Sequence, residues 1–219
     1  ALSLLPKLLL VDAATDDLPR ADRRKILDSL AQTAHRSGMS VLYASRHSED
    51  ALAFGDRTAI LDKGRIMQND VPKTVYEEPN SAACAKLSGE CILLEGTATA
   101  VKDETVFVDI DGLGFTCFSK NWISPGDPLL LCLRPDQVFW GIKADRDYPT
   151  YLHAILREQL EVPKGFKFAF ELRNGTLLSF TRSNPPTLPL QVNDGCLLWF
   201  DTKRSPLIAY QGTMTEDEN

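Results

Sequence analysis

The chain has 219 residues, with 24 Lys and Arg against 30 Asp and Glu, a formal net charge of -6, and 43% apolar residues. That apolar share is enough to build a core in one large domain or two small ones. The acidic balance, with no cluster of Lys and Arg, argues against nucleic-acid binding, which depends on neutralising phosphates. No apolar run is long enough to span a bilayer. The five cysteines, Cys84, Cys91, Cys117, Cys132 and Cys196, are widely spaced with no Cys-x-x-Cys pair, and read as free thiols of a reducing cytosol. No signal peptide is visible and the first residue is Ala1, so the chain reads as a fragment or a processed product.

In chain order, Leu8 to Val11 is an aliphatic run bounded by Pro6 and Asp12. It predicts a short strand buried on both faces, of the kind found inside a parallel sheet. An acid at the carboxyl end of such a strand sits where open α/β sheets place ligands, although many such acids only cap a turn. Asp16 or Asp17 is then placed to cap a helix with Pro19 in its first turn. Ile26, Leu27, Leu30, Ala31 and Ala34 fall on its inner face, and Arg20, Asp22, Arg23, Arg24 and Lys25 on its solvated face. That helix ends near Gly38. Ser40 to Ser45 reads as a second strand, followed by a helix from Ser48 with Glu49 and Asp50 in its first turn. Strand, helix, strand, helix implies a parallel pair. Thr58 to Asp62 and Arg65 to Gln68 flank Lys63-Gly64 as a hairpin, and short helices follow after Pro72 and from Ser81 to Leu87.

At about Ser88 the texture changes to short β-runs: 92–101, 105–110, 114–119, 128–133, 138–142, 151–158, 166–172, 176–181, 196–200 and 206–210. Asp111-Gly112, Pro125-Gly126, Asn174-Gly175, Pro185-Pro186 and Asn193-Asp194-Gly195 punctuate them. Strands at this density make a small barrel or sandwich. The expected organisation is therefore 1–87 as an α/β part, 88–212 as an all-β part, and 213–219 as a disordered acidic tail. Trp122, Trp140, Trp199 and the Phe166, Phe168, Phe170 ladder suit either a stacking platform or a core, and alternating aromatics in β-runs favour the core. His153 stands alone, so a structural role is its default.

Three segments of the first third resemble the C-terminal part of the nucleotide-binding subunit of ABC importers. Leu8-Leu9-Leu10-Val11-Asp12-Ala13-Ala14-Thr15-Asp16-Asp17-Leu18-Pro19 is similar to the family's Walker B strand and D-loop. Val41-Leu42-Tyr43-Ala44-Ser45-Arg46-His47 followed by Glu49 to Arg57 is similar to its switch segment. Ile60-Leu61-Asp62-Lys63-Gly64-Arg65-Ile66, with Pro72 and Tyr76-Glu77-Glu78-Pro79, is similar to the sequence that follows. The β-rich remainder, with Leu133-Arg134-Pro135-Asp136 and Asn193-Asp194-Gly195, resembles the family's accessory TOBE domain. The resemblance implies a partial P-loop ATPase domain with parallel strands, followed by an OB-like barrel. It also implies ATP and Mg2+ as family cofactors, and a cytoplasmic subunit held at the inner membrane face by permease subunits and paired with a second ATP-binding subunit.

The same resemblance assigns site residues, several of which are altered. Asp12, Thr15 and Arg46 stand at nucleotide-binding positions, and Asp12 at the one that holds Mg2+ through water. Ala13 replaces the glutamate that positions the attacking water, and a methyl group can neither accept a proton nor orient water. Arg46 stands at the switch histidine, with His47 one residue later as a possible substitute; Arg46 offers charge without proton transfer. Pro19 replaces the D-loop aspartate. The 219 residues contain neither Gly-x-x-x-x-Gly-Lys-Ser/Thr nor Leu-Ser-Gly-Gly-Gln, although phosphoryl transfer needs a phosphate-binding loop. A first strand with no predecessors would leave apolar surface bare, so the strand is expected to pack on further polypeptide. The leading expectation is a hydrolysis-deficient C-terminal portion of an importer ATP-binding subunit, with Tyr76-Glu77-Glu78-Pro79 and Gly89-Glu90 leaning toward polyamine and iron importers by resemblance. The alternatives are a non-catalytic regulatory or scaffolding subunit, a small-anion-sensing TOBE module, and a ligand-binding barrel unrelated to transport.

Overall fold

A computed structural model describes residues 6–119, 121–143, 151–184 and 190–209. The expected acidic tail and the Pro185-Pro186 turn lie outside these residues. Contacts divide the chain into one unit of Ala1–Glu78 with Leu87–Gly89, and a second of Pro79–Lys86 with Glu90–Asn219.

In the first unit, β1 (Leu8–Asp12) and β2 (Ser40–Ala44) form a parallel pair in which Leu8 faces Ser40 and Asp12 faces Ala44. Helix α1 (Arg20–Ser37) makes the crossover between them. A crossover of this kind is what a parallel pair demands, since no tight turn can return the chain to the same end of the sheet. Gly38 closes α1 in the left-handed region at φ 67°, donating its N–H to the Ala34 carbonyl, as glycine does at helix ends.

Three expectations for this unit are corrected. β1 is not buried on both faces: Leu8, Leu10 and the β2 residue Leu42 are 55%, 65% and 63% exposed on one face of the two-stranded sheet. The helix stripe is formed by Arg23, Leu27 and Leu30, all buried, whereas Ile26 is exposed. Neither Asp16 nor Asp17 caps α1, because Pro19 occupies the cap position with no side-chain bond to the helix, and the Asp16 carboxylate is engaged elsewhere.

Helix α2 (Ser48–Phe54) follows β2, with the Phe54 ring edge-on to Tyr43 at 5.6 Å. β3 (Thr58–Asp62) and β4 (Arg65–Asp70) make an antiparallel hairpin in which Asp62 faces Arg65. Lys63 and Gly64 both have positive φ, 46° and 75°, the signature of the two-residue turn that matches strand twist. Helix α3 (Pro72–Glu77) starts on Pro72 and buries Val75 completely.

In the second unit, α4 (Ala82–Leu87) is capped by Ser81, whose Oγ accepts the Cys84 N–H at 3.2 Å, satisfying a free amide of the first turn. Among the described residues ten strands follow: β5 (Ile92–Lys102), β6 (Thr105–Ile110), β7 (Leu113–Phe118), β8 (Pro128–Leu133), β9 (Val138–Gly141), β10 (Leu152–Val162), β11 (Gly165–Leu172), β12 (Leu177–Arg182), β13 (Gly195–Phe200) and β14 (Leu207–Ala209). They form two five-stranded antiparallel sheets, ordered β14-β8-β5-β6-β7 and β12-β11-β10-β13-β9. A 3-10 turn at Pro135–Gln137 carries the chain from one sheet to the other.

One core serves both sheets. Val106, Val108 and Phe115 from the first meet Leu156, Leu198 and Phe200 from the second, with Phe115 stacked on Phe200 at 5.0 Å. Trp140, Phe168, Phe170 and Phe180 pack together in this core, with ring centroids 4.8 to 6.3 Å apart. The aromatic ladder is therefore core, as cross-strand pairing favours. Trp122, by contrast, is 96% exposed.

Strand β8 is buried along Leu129 to Leu133 on both faces. Its outer residues Leu130 and Cys132 lie in a second small cluster with Ala85 of α4 and Ile208 of β14. The helix covers the sheet there, which is why the strand reads as a continuous apolar run rather than an alternating one. Gly165 opens β11 at φ 131°, and a Cβ there would come within 2.1 Å of the Arg182 carbonyl oxygen, so only glycine fits. No described helix is long and apolar enough to cross a membrane.

Candidate nucleotide site

The sequence-predicted residues converge at the carboxyl ends of β1 and β2. Asp12 ends β1 with its side chain exposed, and Ala13 follows with φ 48°. That left-handed turn is held by the Ala13 N–H, which donates to the Ala44 carbonyl at 2.9 Å. Both residues thus point to the sheet end where α/β folds collect ligands.

Thr15 turns inward. It is buried, with its hydroxyl 2.9 Å from the Tyr43 hydroxyl. Beside it Asp16 is buried too, and its carboxylate is the hub of the cluster. One oxygen accepts the Ser45 hydroxyl. The other accepts the Arg46 backbone N–H at 3.0 Å and the Arg46 Nε–H at 3.1 Å. Burial opposes ionisation of Asp16, but the bonds from Ser45 and Arg46 and the charge of His47 prevail, drawing its pKa from 3.8 down to about 2. Ser45 Oγ also accepts the His47 N–H at 3.1 Å.

His47 Nε2 lies 2.9 Å from the Asp16 carbonyl oxygen. A carbonyl only accepts, so Nε2 carries the proton. Arg46 extends further to Asp17 at 3.5 Å. Its guanidinium is thus engaged by carboxylates on the β1–α1 loop, while most of the side chain stays exposed.

A second anchor lies behind this one. Arg23 of α1, buried, donates Nε to Asp50 and reaches Glu49 at 3.3 Å, both on α2, and Nη1 donates to the Leu18 carbonyl at 3.0 Å. The expected solvated face of α1 therefore holds its most buried ion pair. The helices flanking the β2 loop are tied together by charge, as well as by packing.

Sequence reasoning placed Asp12, Ala13, Arg46 and His47 at one end of the sheet and missed Asp16 as the residue that holds Arg46 and His47. The available signal was a Ser-Arg-His triplet after one strand, facing paired acids after its parallel neighbour. Among the described residues no group of three or more His, Cys, Asp or Glu side chains is disposed to hold a metal. Asp12 stands exposed at the strand end.

The chain is a homologue of ATP-binding subunits of ABC importers. It is 29% identical over 181 residues to the spermidine/putrescine import ATP-binding protein PotA of Thermotoga maritima, covering 81% of this chain and 49% of that protein. With PotA 2 of Pseudomonas aeruginosa PAO1 it shares 32% over 176 residues, 79% of this chain and 48% of that protein. With PotA of the UCBPP-PA14 strain the figure is 34% over the same length and the same coverage. The chain spans about half the length of these curated relatives. No family model matches. Among solved structures, a cytoplasmic molybdate-binding protein, ModG, aligns with 53% of this chain and 94% of its own at 12% identity, with a TM-score of 0.46, too low to bear on fold or ligand.

Proposed function

We propose that this chain is the C-terminal portion of the ATP-binding subunit of an ABC importer for polyamine-like solutes, carrying a site that no longer hydrolyses ATP. The β1–α1–β2 unit is the remnant of the ATPase domain and the β-unit a TOBE-like, OB-fold module. Its role is to couple nucleotide-dependent closure of a dimer with a second ATP-binding subunit to transport through membrane-spanning permease subunits, from the cytoplasmic side. The homology over about four fifths of the chain supports the importer assignment, and the relatives' printed names support the solute class.

One observation carries the loss of hydrolysis: Ala13 stands beside Asp12 at the tip of β1, while Arg46 is held on Asp16. Asp12 would hold magnesium through water, and bound ATP would supply the phosphoryl chemistry. Ala13 offers no base for the attacking water, and a guanidinium neutralised by two carboxylates is a weak partner for a further anion.

Phosphate release from Mg-ATP by the purified chain is the direct test. No release above buffer is expected, and magnesium-dependent turnover would overturn the deficient site. Importer membership is tested separately, by affinity purification from cells that also express the permease subunits of a polyamine importer. Recovery of the permease subunits supports the assignment, and their absence from the purified material counts against it. If the coding sequence upstream of Ala1 lacks both the phosphate-binding loop and the Leu-Ser-Gly-Gly-Gln motif, the chain is instead a non-catalytic scaffolding subunit, the reading that the degenerate site also favours.

A further inference from the structure

Cys91 and Cys132 lie on the outer face of the β14-β8-β5 sheet, in the small cluster capped by Ala82 and Ala85 of α4. Ile92 of β5 faces Leu133 of β8 and Leu93 faces Cys132, so Cys91, one residue outside the ladder, is the diagonal neighbour of Cys132 on the same face. Both side chains belong to the same small cluster on that face. Cys132 is buried, whereas Cys91 is partly exposed.

The surroundings are electropositive. Arg134, itself 2% exposed, follows Cys132 by two residues just past the end of β8 and is held by donating Nη1 to the Ala85 carbonyl at 3.0 Å and the carbonyl of Glu90, the neighbour of Cys91, at 3.2 Å. Lys86 adds a second cation, and Glu90 opposes both. A thiol with a neighbouring donor and a fixed guanidinium, open to solvent on one side, is the environment in which cysteine becomes reactive.

We propose that Cys91 and Cys132 form a peroxide-responsive dithiol, with Cys91 the attacking sulfur and Cys132 the resolving one. The Cys91 thiolate attacks one oxygen of hydrogen peroxide; the O–O bond breaks and hydroxide leaves, giving a sulfenic acid. The Cys132 sulfur then attacks Cys91 sulfur, the S–O bond breaks, and the departing hydroxide takes the Cys132 proton as water. Two thiols are oxidised to one disulfide and one peroxide is reduced to two waters. The hydrogen bond from Cys132 leads the causes that bring the Cys91 thiol down to about 7, with Arg134 and Lys86 adding to it against burial and Glu90. The same bond and burial push Cys132 upward, so the two sulfurs hold different roles. Cys117 and Cys196, raised by burial to about 12 and about 11, remain thiols.

The test uses the whole purified chain. Under limiting iodoacetamide at neutral pH, peptide mapping is expected to show Cys91 alkylated about tenfold faster than Cys117 or Cys196. Brief exposure to hydrogen peroxide, followed by digestion without reductant, is expected to yield a Cys91–Cys132 linked peptide. In Cys132→Ser the linked peptide disappears and Cys91 is instead captured by dimedone as the sulfenic acid. Equal alkylation of Cys91 and the buried thiols, or peroxide treatment that leaves Cys91 and Cys132 unlinked, would overturn the assignment. The alkylation order is read on the unsubstituted protein, so poor folding of the variant does not blunt the test.

Discussion

A single oxygen of Asp16 holds Arg46 twice, accepting its backbone N–H at 3.0 Å and its Nε–H at 3.1 Å. The loop after β2 is thereby fixed to the loop after β1, at the sheet end where Asp12 and Ala13 also stand. Arg46 is thus oriented by an acid of its own chain.

Asp16→Asn keeps the shape and removes the charge from these bonds. The expected cost is about 1.5–3 kcal/mol near neutral pH, the range for hydrogen bonds to a charged group. Because the folded carboxyl is depressed from 3.8 to about 2, its contribution is complete above the unfolded value. It is lost as pH falls from about 4 toward 2, where the unfolded chain takes the proton first. Urea denaturation of both proteins across this window checks the sign: the gap between them should close as the solution becomes more acidic.

Ala13→Gly should stabilise the chain. Alanine at φ 48° carries the left-handed penalty of about 1–2 kcal/mol that glycine escapes, partly offset by the greater freedom of glycine in the unfolded state. The expected result is a modest rise in thermal midpoint with phosphate release unchanged at background. A lower midpoint would show that the strand-end turn is not strained as described.

Arg23→Met strands Asp50 in a buried position, and a buried charge left without its partner is more costly than the pair it belonged to. The thermal midpoint of the first unit should drop, and Arg23→Met combined with Asp50→Leu should recover part of the loss. Differential scanning calorimetry of the two single variants and the double variant measures that coupling directly; additive losses would contradict the clamp.

In the second unit, Phe170→Ala should cost about 3–5 kcal/mol by emptying part of a packed aromatic core, since Phe170 touches Trp140 and Phe180 and is fully buried. Trp122→Ala, at a side chain 96% exposed, should stay within about 0.5 kcal/mol. Chemical denaturation of both variants separates the buried aromatic environment from the exposed one.

Much of the β-unit was legible because its turns are chemically marked. Asp111-Gly112 and Asn174-Gly175 sit at strand ends where the backbone needs positive φ, and both glycines adopt it. The parallel pair followed from its strand–helix–strand order. The charge run on α1 was misread because helical periodicity ranks Arg with the solvated residues, whereas Arg23 finds acids on α2 that no local pattern announces. Asp16 was missed for a similar reason: an acid shortly before Pro19 has the pattern of a helix cap, and its actual partners, Ser45 and Arg46, lie about thirty residues on. The aliphatic run of β1 reads as a strand covered on both faces, whereas the strand order leaves its apolar surface bare, and the exposure of Leu8 and Leu10 follows the second reading, since such a run shows that a strand can be covered and not what covers it.

The small helix α4 has a practical consequence for dissecting the chain. Its Ala85 shields the outer face of β8, and the Ala85 carbonyl accepts from Arg134. A fragment that begins where the strands begin would strip that wall away, leaving Leu130, Cys132 and Ile208 wet and the Arg134 guanidinium short of an acceptor. The natural scissor point for expressing the β-unit is the peptide bond between Glu78 and Pro79, with the helix kept as part of the sheet's own casing.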